Sequence, residues 1–277
     1  MANFDFDLVV KIGSMALIRR EDNDLDYNIF SRLARELKPG HILVSSGATE
    51  IGRIDYMQRN GGRELKGDLD KIKASYAAQG QPILMEMYRQ FVNPKYSVRQ
   101  VLIEHSHFNS SQKVEHIRSL LFDAANQNAI PIINYNDAVS DTENMRMELH
   151  DLKASKGRVV ECIDNDETAV VIARLVKAKT LVILSSIDGI YMDVSDPSTI
   201  IDDVVGSSYE EVAQKIDGMV EYCDGASRVG ANGAAAKLKF AKSALKDGTT
   251  VIIANAKNSL KEIIEGKVRR TMLRVEG

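Results

Sequence analysis

Four short segments recur in order along this chain and constrain its fold more than any bulk property. They are Val9-Val10-Lys11-Ile12-Gly13-Ser14, Val44-Ser45-Ser46-Gly47-Ala48, Ile132-Ile133-Asn134-Tyr135-Asn136-Asp137 and Asp164-Asn165-Asp166. Each of the first three is an apolar run that closes on glycine, hydroxyl or amide residues. A buried parallel strand delivers a loop to the carboxyl edge of a sheet in this way, and open α/β sheets bind ligands at that edge. Lysine, glycines, serines, amides and carboxylates gathered there suit a phosphate, a cation and a small polar molecule.

Between these segments, short apolar runs alternate with longer helical patterns. Leu8–Ile12, Ile42–Val44, Val98–Ile103, Ile130–Asn134, Leu181–Leu184 and Thr249–Ile253 read as strands. Helices are expected over 25–37, 69–91 with a break or kink at Gly80-Gln81-Pro82, 111–126, 164–177, 209–216, 230–245 and 260–265. Val159-Val160 reads as a short strand, and Ser140 to Gly157 as a polar connecting stretch. Strands alternating with helices throughout predict a three-layer α/β/α sandwich with a mostly parallel central sheet. No repeat, low-complexity tract or clean linker interrupts it. The expectation is one domain over 1–277, softly divided into halves 1–164 and 165–277.

Composition excludes several classes. At 277 residues, 44% hydrophobic and 27% charged, the chain buries a sizeable core. A formal charge of −3 gives no basic footprint for nucleic acid. Lys267-Val268-Arg269-Arg270 is short and reads as a solvated strand or turn. No apolar run approaches the roughly 18 residues of a membrane span, and the acidic start Met1–Asp7 lacks a signal-peptide n-region. Cys162 and Cys223 form no CxxC pair, which points to a reducing cytoplasm rather than a disulfide framework. The histidines 41, 105, 107, 116 and 150 show no zinc spacing; His105 and His107 read as loop residues. The methionines read as core filling.

Lys11 interrupts an apolar strand. It either snorkels from the strand end or reaches a phosphate oxygen beside the backbone N–H groups of Gly13 and Ser14. Ser45–Ala48 is either an N-cap or an anion site at a helix start. Asn134, Asn136 and Asp137 either form a turn or hold the charged groups of a small substrate. Asp164-Asn165-Asp166 opens a helix with more acceptors than a cap needs. Gly230-Ala231-Asn232-Gly233 with Lys237 is a glycine-rich helix entry that departs from the GxxxxGK[ST] phosphate loop.

Taken together, these segments resemble the amino acid kinase family and, within it, the glutamate 5-kinase branch. Lys11–Ser14 resembles KxGS, Val44–Ala48 with Gly52-Arg53 resembles VSSGAxxxGR, and Ala77–Gln81 resembles AAxGQ. Gln100–Leu102 is similar to QVLLT, Ile130–Val139 to IPIINENDxV, Asp164–Asp166 to the end of GDND, and Asp188–Tyr191 to DGLY. The resemblance implies the following roles. Lys11 and Lys237 contact the transferred phosphate and Asp166 organises them. Ser46, Gly47, Ala48, Asn134, Asp137 and Asn165 hold the amino acid. Gly13, Ser14, Ser185, Ser186, Asp188, Gly230 and Gly233 hold ATP, with Mg2+ as the metal cofactor and no dedicated protein ligand set. It also implies a homodimer or homotetramer, with 69–91 and 111–126 as candidate contacts. Its members' reaction is ATP-dependent phosphorylation of the side-chain carboxylate of L-glutamate, the entry to proline synthesis. The alternatives are another small acid or phosphonate acceptor, or a nucleotide- or metabolite-binding regulatory protein. The departures are Ser185-Ser186 where the family has ThrAsp, Gly230–Ala234 in place of GTGGM, Ile163 for glycine, His116 for the asparagine of NxR, the longer Ser140–Gly157 stretch and the absence of a PUA-like carboxyl-terminal segment.

Overall fold

Val9, Val10 and Ile12 are wholly buried, and the strand that contains them also buries Lys11. The longer strands are β1 (Phe6–Ile12), β2 (His41–Ser45), β3 (Ser97–Ile103), β4 (Ala129–Tyr135), β5 (Ala178–Ser185), β6 (Asp203–Gly206), β7 (Thr250–Asn255) and β8 (Arg270–Val275). The helices are α1 (Tyr27–Glu36), α2 (Ala48–Arg59), α3 (Leu69–Phe91), α4 (His105–Phe108), α5 (Ser111–Asn126), α6 (Thr142–Lys156), α7 (Asn165–Leu175), α8 (Tyr209–Asp224), α9 (Ala231–Leu245) and α10 (Leu260–Glu265). This computed structural model describes residues 4–19, 21–140, 142–156, 159–162, 164–193, 195–224 and 231–276. They fall into two compact units. The first comprises the residues up to Ile12, Gly40–Val44 and those from Asp166 onward; the second comprises Gly13–Pro39 and Ser45–Asn165.

In the first unit the strand order is β6-β8-β7-β5-β1-β2. β5 runs parallel to both β1 and β7, β6 is parallel to β8, and the β7–β8 pair is antiparallel. The register aligns the carboxyl ends: Lys11 lies beside Ile183, Ile12 beside Leu184, and Asn255 beside Ser185. Continuous burial along Leu181–Leu184 and Val251–Ala254 explains why these runs show no period-two alternation. α8 and α9 pack on each other and against β7 and β8.

In the second unit β3 and β4 are parallel, with Leu102 beside Asn134 and Ile103 beside Tyr135. α2 and α3 cross with almost nothing between them. A Cβ on Gly52 would lie 1.8 Å from the carbonyl oxygen of Tyr76, and one on Gly80 would lie 1.9 Å from that of Ala48. These two glycines are therefore required by close helix approach. Of the break or kink expected at Gly80–Pro82, the break is not found: α3 runs unbroken through Pro82.

The α/β class with a mostly parallel sheet and flanking helices is as expected. Several elements differ. The polar stretch after Ser140 contains helix α6, which places Met145, Leu149 and Leu152 on its sheltered side. Spacings of four and three residues are enough for a helix when the rest of the face is solvated. Val159-Val160 forms no strand, and α8 continues to Asp224; Arg270, at the end of the segment read as a solvated strand or turn, starts β8. Among the described residues, no helix is long and apolar enough to cross a membrane.

Candidate functional site

In the first unit, β1 brings Lys11 to its carboxyl end and α7 opens at Asn165-Asp166. Asp166 is a buried carboxylate, 8% exposed. Lys11 Nζ lies 2.5 Å from its Oδ1, and Lys237 Nζ, on α9, lies 3.4 Å from its Oδ2. Burial pushes the Asp166 pKa up, but the two lysine charges outweigh it and hold the carboxyl below its ordinary value. Among the described residues, two cations share one buried anion here, an arrangement whose chemistry suits an anionic ligand, with the carboxylate fixing where the ammonium groups point.

The loop after β5 is tied down from β7. Asn255 Nδ2 donates to Asp188 Oδ1 at 2.9 Å, and the Ala256 N–H donates to the Ser185 carbonyl at 2.9 Å. Ser185 Oγ donates to the Ile187 carbonyl at 3.0 Å, and the Tyr191 hydroxyl reaches Asp188 Oδ2 at 3.5 Å. A Cβ on Gly189 would sit 2.6 Å from Thr271 Oγ1, so that glycine permits close packing on β8. Asp188 is thus an anchor of the loop, and Ser186 and Ile187 are its exposed residues. Gly233 lies within α9, and Gly230 lies outside the described residues.

The second unit holds a cluster of amides and hydroxyls. Asn165 Nδ2 donates to Ser46 Oγ at 2.9 Å and to Asn134 Oδ1 at 3.0 Å. Asn134 Nδ2 donates to Gln81 Oε1 at 2.9 Å, and Gln81 Nε2 to Gln100 Oε1 at 3.0 Å. This continuous chain fixes which way each amide faces. Asn165 Oδ1 is buried and, among the described residues, accepts no hydrogen bond. Ser45 Oγ shares a 2.8 Å hydrogen bond with the hydroxyl of Tyr88, a phenol whose pKa burial pushes well up.

Gly47 adopts φ +114° immediately before α2, a left-handed conformation that favours glycine and leaves the backbone at Ala48 to start the helix. Gly13 precedes a short turn at Ser14–Ala16 with ordinary extended backbone. Asp137 follows β4 in a turn, beside a small cavity of about 20 Å³ that is also lined by Ala48, Ala77, Gln81 and Tyr135. Burial raises its pKa to about 6, and Lys73 offsets only part of that.

The structure brings Lys11, Lys237 and Asp166 together in one unit and Ser46, Asn134 and Asn165 together in the other. Sequence reasoning missed Gln81, Tyr88 and Asn255. Gln81 lies inside the Ala77–Gln81 motif, which was a usable signal; Tyr88 and Asn255 had none. It also placed the histidines in a loop, whereas His105 opens helix α4 and is 4% exposed. Among the described residues no three His, Cys, Asp or Glu side chains gather to hold a metal ion.

A model of the amino acid kinase family matches residues 8–255. Curated relatives named glutamate 5-kinase include one from Clostridium perfringens that is 31% identical over 270 residues, covering 96% of this chain and 90% of that protein. Another, from Nitrosomonas eutropha, is 29% identical and covers 96% of this chain but 67% of the relative. Among solved structures, carbamate kinase from Giardia lamblia bound to AMP-PNP aligns over 100% of both chains with a TM-score of 0.60 at 13% identity. UMP kinase from Ureaplasma parvum aligns over 98% of this chain and 99% of its own with a TM-score of 0.51 at 11% identity. The solved structures speak for the fold, while the family model and the 31% relative speak for descent, and on these grounds the chain belongs to the amino acid kinase family.

Proposed function

We propose that this chain is an ATP-dependent kinase that phosphorylates the side-chain carboxylate of L-glutamate. The observation that carries the reading is the buried ion cluster of Lys11, Asp166 and Lys237. Phosphoryl transfer asks a protein for positioning and charge neutralisation more than for covalent chemistry. The two ammonium groups stabilise the charge spread over the transferred group's oxygens, and Asp166 keeps both aimed. The acceptor carboxylate is already ionised at neutral pH and needs no general base. Magnesium, when bound, adds charge neutralisation at the phosphates. It keeps most of its ligands from phosphate and water, which suits a site with a single carboxylate.

The second unit supplies the acceptor's partners in this reading. The substrate ammonium group meets the ionised Asp137 and the free acceptor Asn165 Oδ1. An unpartnered buried carbonyl costs about 1–3 kcal/mol, which such a ligand removes. The substrate α-carboxylate meets the backbone N–H groups at the start of α2. The relatives named glutamate 5-kinase support glutamate as the acceptor. Ser186 and Ile187, exposed on the loop after β5, face the nucleotide in this assignment.

The test is ATP turnover with magnesium, with and without L-glutamate, coupled to hydroxylamine trapping. Glutamate-dependent hydroxamate supports the acyl phosphate; nucleotide binding with no turnover on glutamate removes it. One observation favours a second reading, a different small acid as acceptor. Helix α6 stands where the family pattern has a compact loop, and it reaches the back of the turn that carries Asp137. A screen of small carboxylates and phosphonates separates the two.

A further inference from the structure

We propose that His105 and Glu148 form a latch, and that this latch makes His105 a positioning residue for the acceptor. The inference rests on the acceptor assignment above. His105 is a polar side chain buried to 4% exposure, and such groups are kept where they make a needed hydrogen bond. Its Nε2 lies 2.8 Å from Glu148 Oε2, on α6. Its Nδ1 lies 3.4 Å from the hydroxyl of Tyr135, the last residue of β4. The imidazole thus sits between the two, one ring nitrogen facing the Glu148 carboxylate and the other the Tyr135 hydroxyl.

Tyr135 ends β4, two residues before Asp137. Its hydroxyl is also met by Ser140 Oγ at 3.5 Å and lies 3.4 Å from Met145 Sδ on α6. The backbone N–H groups of Val139 and Ser140 both return to the Asn136 carbonyl at 3.2 Å. Asn136 Nδ2 donates to Oε1 of Glu104, the residue capping α4, at 2.9 Å. Beyond α6 the chain is clasped by the same short helix, since Asn109 Nδ2 donates to both the His105 and Val160 carbonyls at 2.8 Å. The Val160 N–H donates back to Asn109 Oδ1 at 3.0 Å. So α4 and its flanking residues Glu104 and Asn109 hold the turn before α6 and the segment after it, and His105 joins α6 to Tyr135, where β4 leads into the turn.

Glu148 supplies this contact from a largely exposed position, its side chain 61% accessible. Its removal therefore leaves the core intact. The latch holds the Asp137 carboxylate at the substrate's ammonium group and has no part in the phosphoryl transfer itself. Losing it weakens acceptor binding and leaves the nucleotide side alone.

The experiment is steady-state kinetics with L-glutamate and MgATP on Glu148→Ala, Glu148→Gln, His105→Ala and the double alanine variant. The expected result is a rise in glutamate KM of about tenfold in Glu148→Ala, with kcat and the ATP KM unchanged. Glu148→Gln, which keeps the acceptor oxygen, restores the wild-type KM, and the double variant is no worse than its more severe parent. An unchanged glutamate KM in Glu148→Ala, a parallel loss in kcat and ATP KM, or additive single effects overturn the latch. Hydrogen exchange on the ligand-free protein separates this from a failure of the acceptor assignment. If glutamate is neither bound nor turned over, faster exchange at Tyr135–Ser140 and along α6 in Glu148→Ala upholds the latch while the acceptor assignment falls. Unchanged exchange there removes the latch on its own.

Discussion

Asp137 is held by burial in a state that opposes its charge, with a pKa near 6 against an ordinary value of 3.8. Because the folded value lies above the unfolded one, the folded chain binds the extra proton. Below about pH 4 both states are protonated and the group costs nothing. As pH rises through 4 to 6 the folded state loses stability, by on the order of 3 kcal/mol at most. Asp137→Asn is therefore expected to raise the melting temperature at pH 7.5 and leave it unchanged near pH 4, while weakening acceptor binding. Scanning calorimetry at the two pH values checks the first part. In the wild type an ammonium-bearing acceptor binds the ionised form, so its KM should fall as pH rises from 5 to 7, with the inflection near 6. Lys11 is the second residue to test. Lys11→Ala leaves Asp166 with Lys237 as its cation among the described residues, and removing one partner of a buried pair costs about 3–5 kcal/mol. On the proposed function it is also expected to lower kcat by about a hundredfold or more. A Lys11→Ala enzyme with wild-type kcat sinks the phosphate assignment.

At the scale of elements, the α2–α3 crossing is the part least tolerant of change. Gly52 and Gly80 each face a backbone carbonyl with no space for a methyl group. Gly80→Ala is expected to destabilise by roughly 3 kcal/mol or more through overpacking, since backbone, unlike the end of a side chain, cannot step aside. Urea unfolding measures it, and a loss under 1 kcal/mol removes the close-approach argument. This crossing also shows what the sequence could and could not tell. The strands that bring Lys11, Asn134 and Ser185 to their ends were legible because buried parallel strands are continuous apolar runs. Gly80-Gln81-Pro82 looked like a break because local propensity favours one there, yet packing against α2 carries the helix through. α6 was hidden because a helix with three sheltered residues, Met145, Leu149 and Leu152, is mostly polar in composition. The amide chain from Asn165 to Gln100 joins residues from four separate segments, and no spacing rule points to such a network.

For the whole molecule, the two clusters belong to different compact units but are adjacent in sequence, because Asn165 is the last residue of one unit and Asp166 opens the final segment of the other. The functional assignment predicts a divided exchange footprint. AMP-PNP with magnesium should protect β1, the loop after β5 and α9, whereas L-glutamate should protect Ser46–Ala48 and Asn134–Asp137. A reversed pattern exchanges the roles of the two units. Ligand at a hundred times its Kd stabilises by about 2.7 kcal/mol, so either ligand alone should also shift the unfolding midpoint. The charge balance at Asp166 has a practical side. Among the described residues two ammonium groups share one carboxylate there. If the proposed phosphate assignment holds, inorganic phosphate and sulfate are expected to compete with nucleotide at the lysines and to raise the melting temperature, so the choice of buffer anion becomes an experimental variable in its own right.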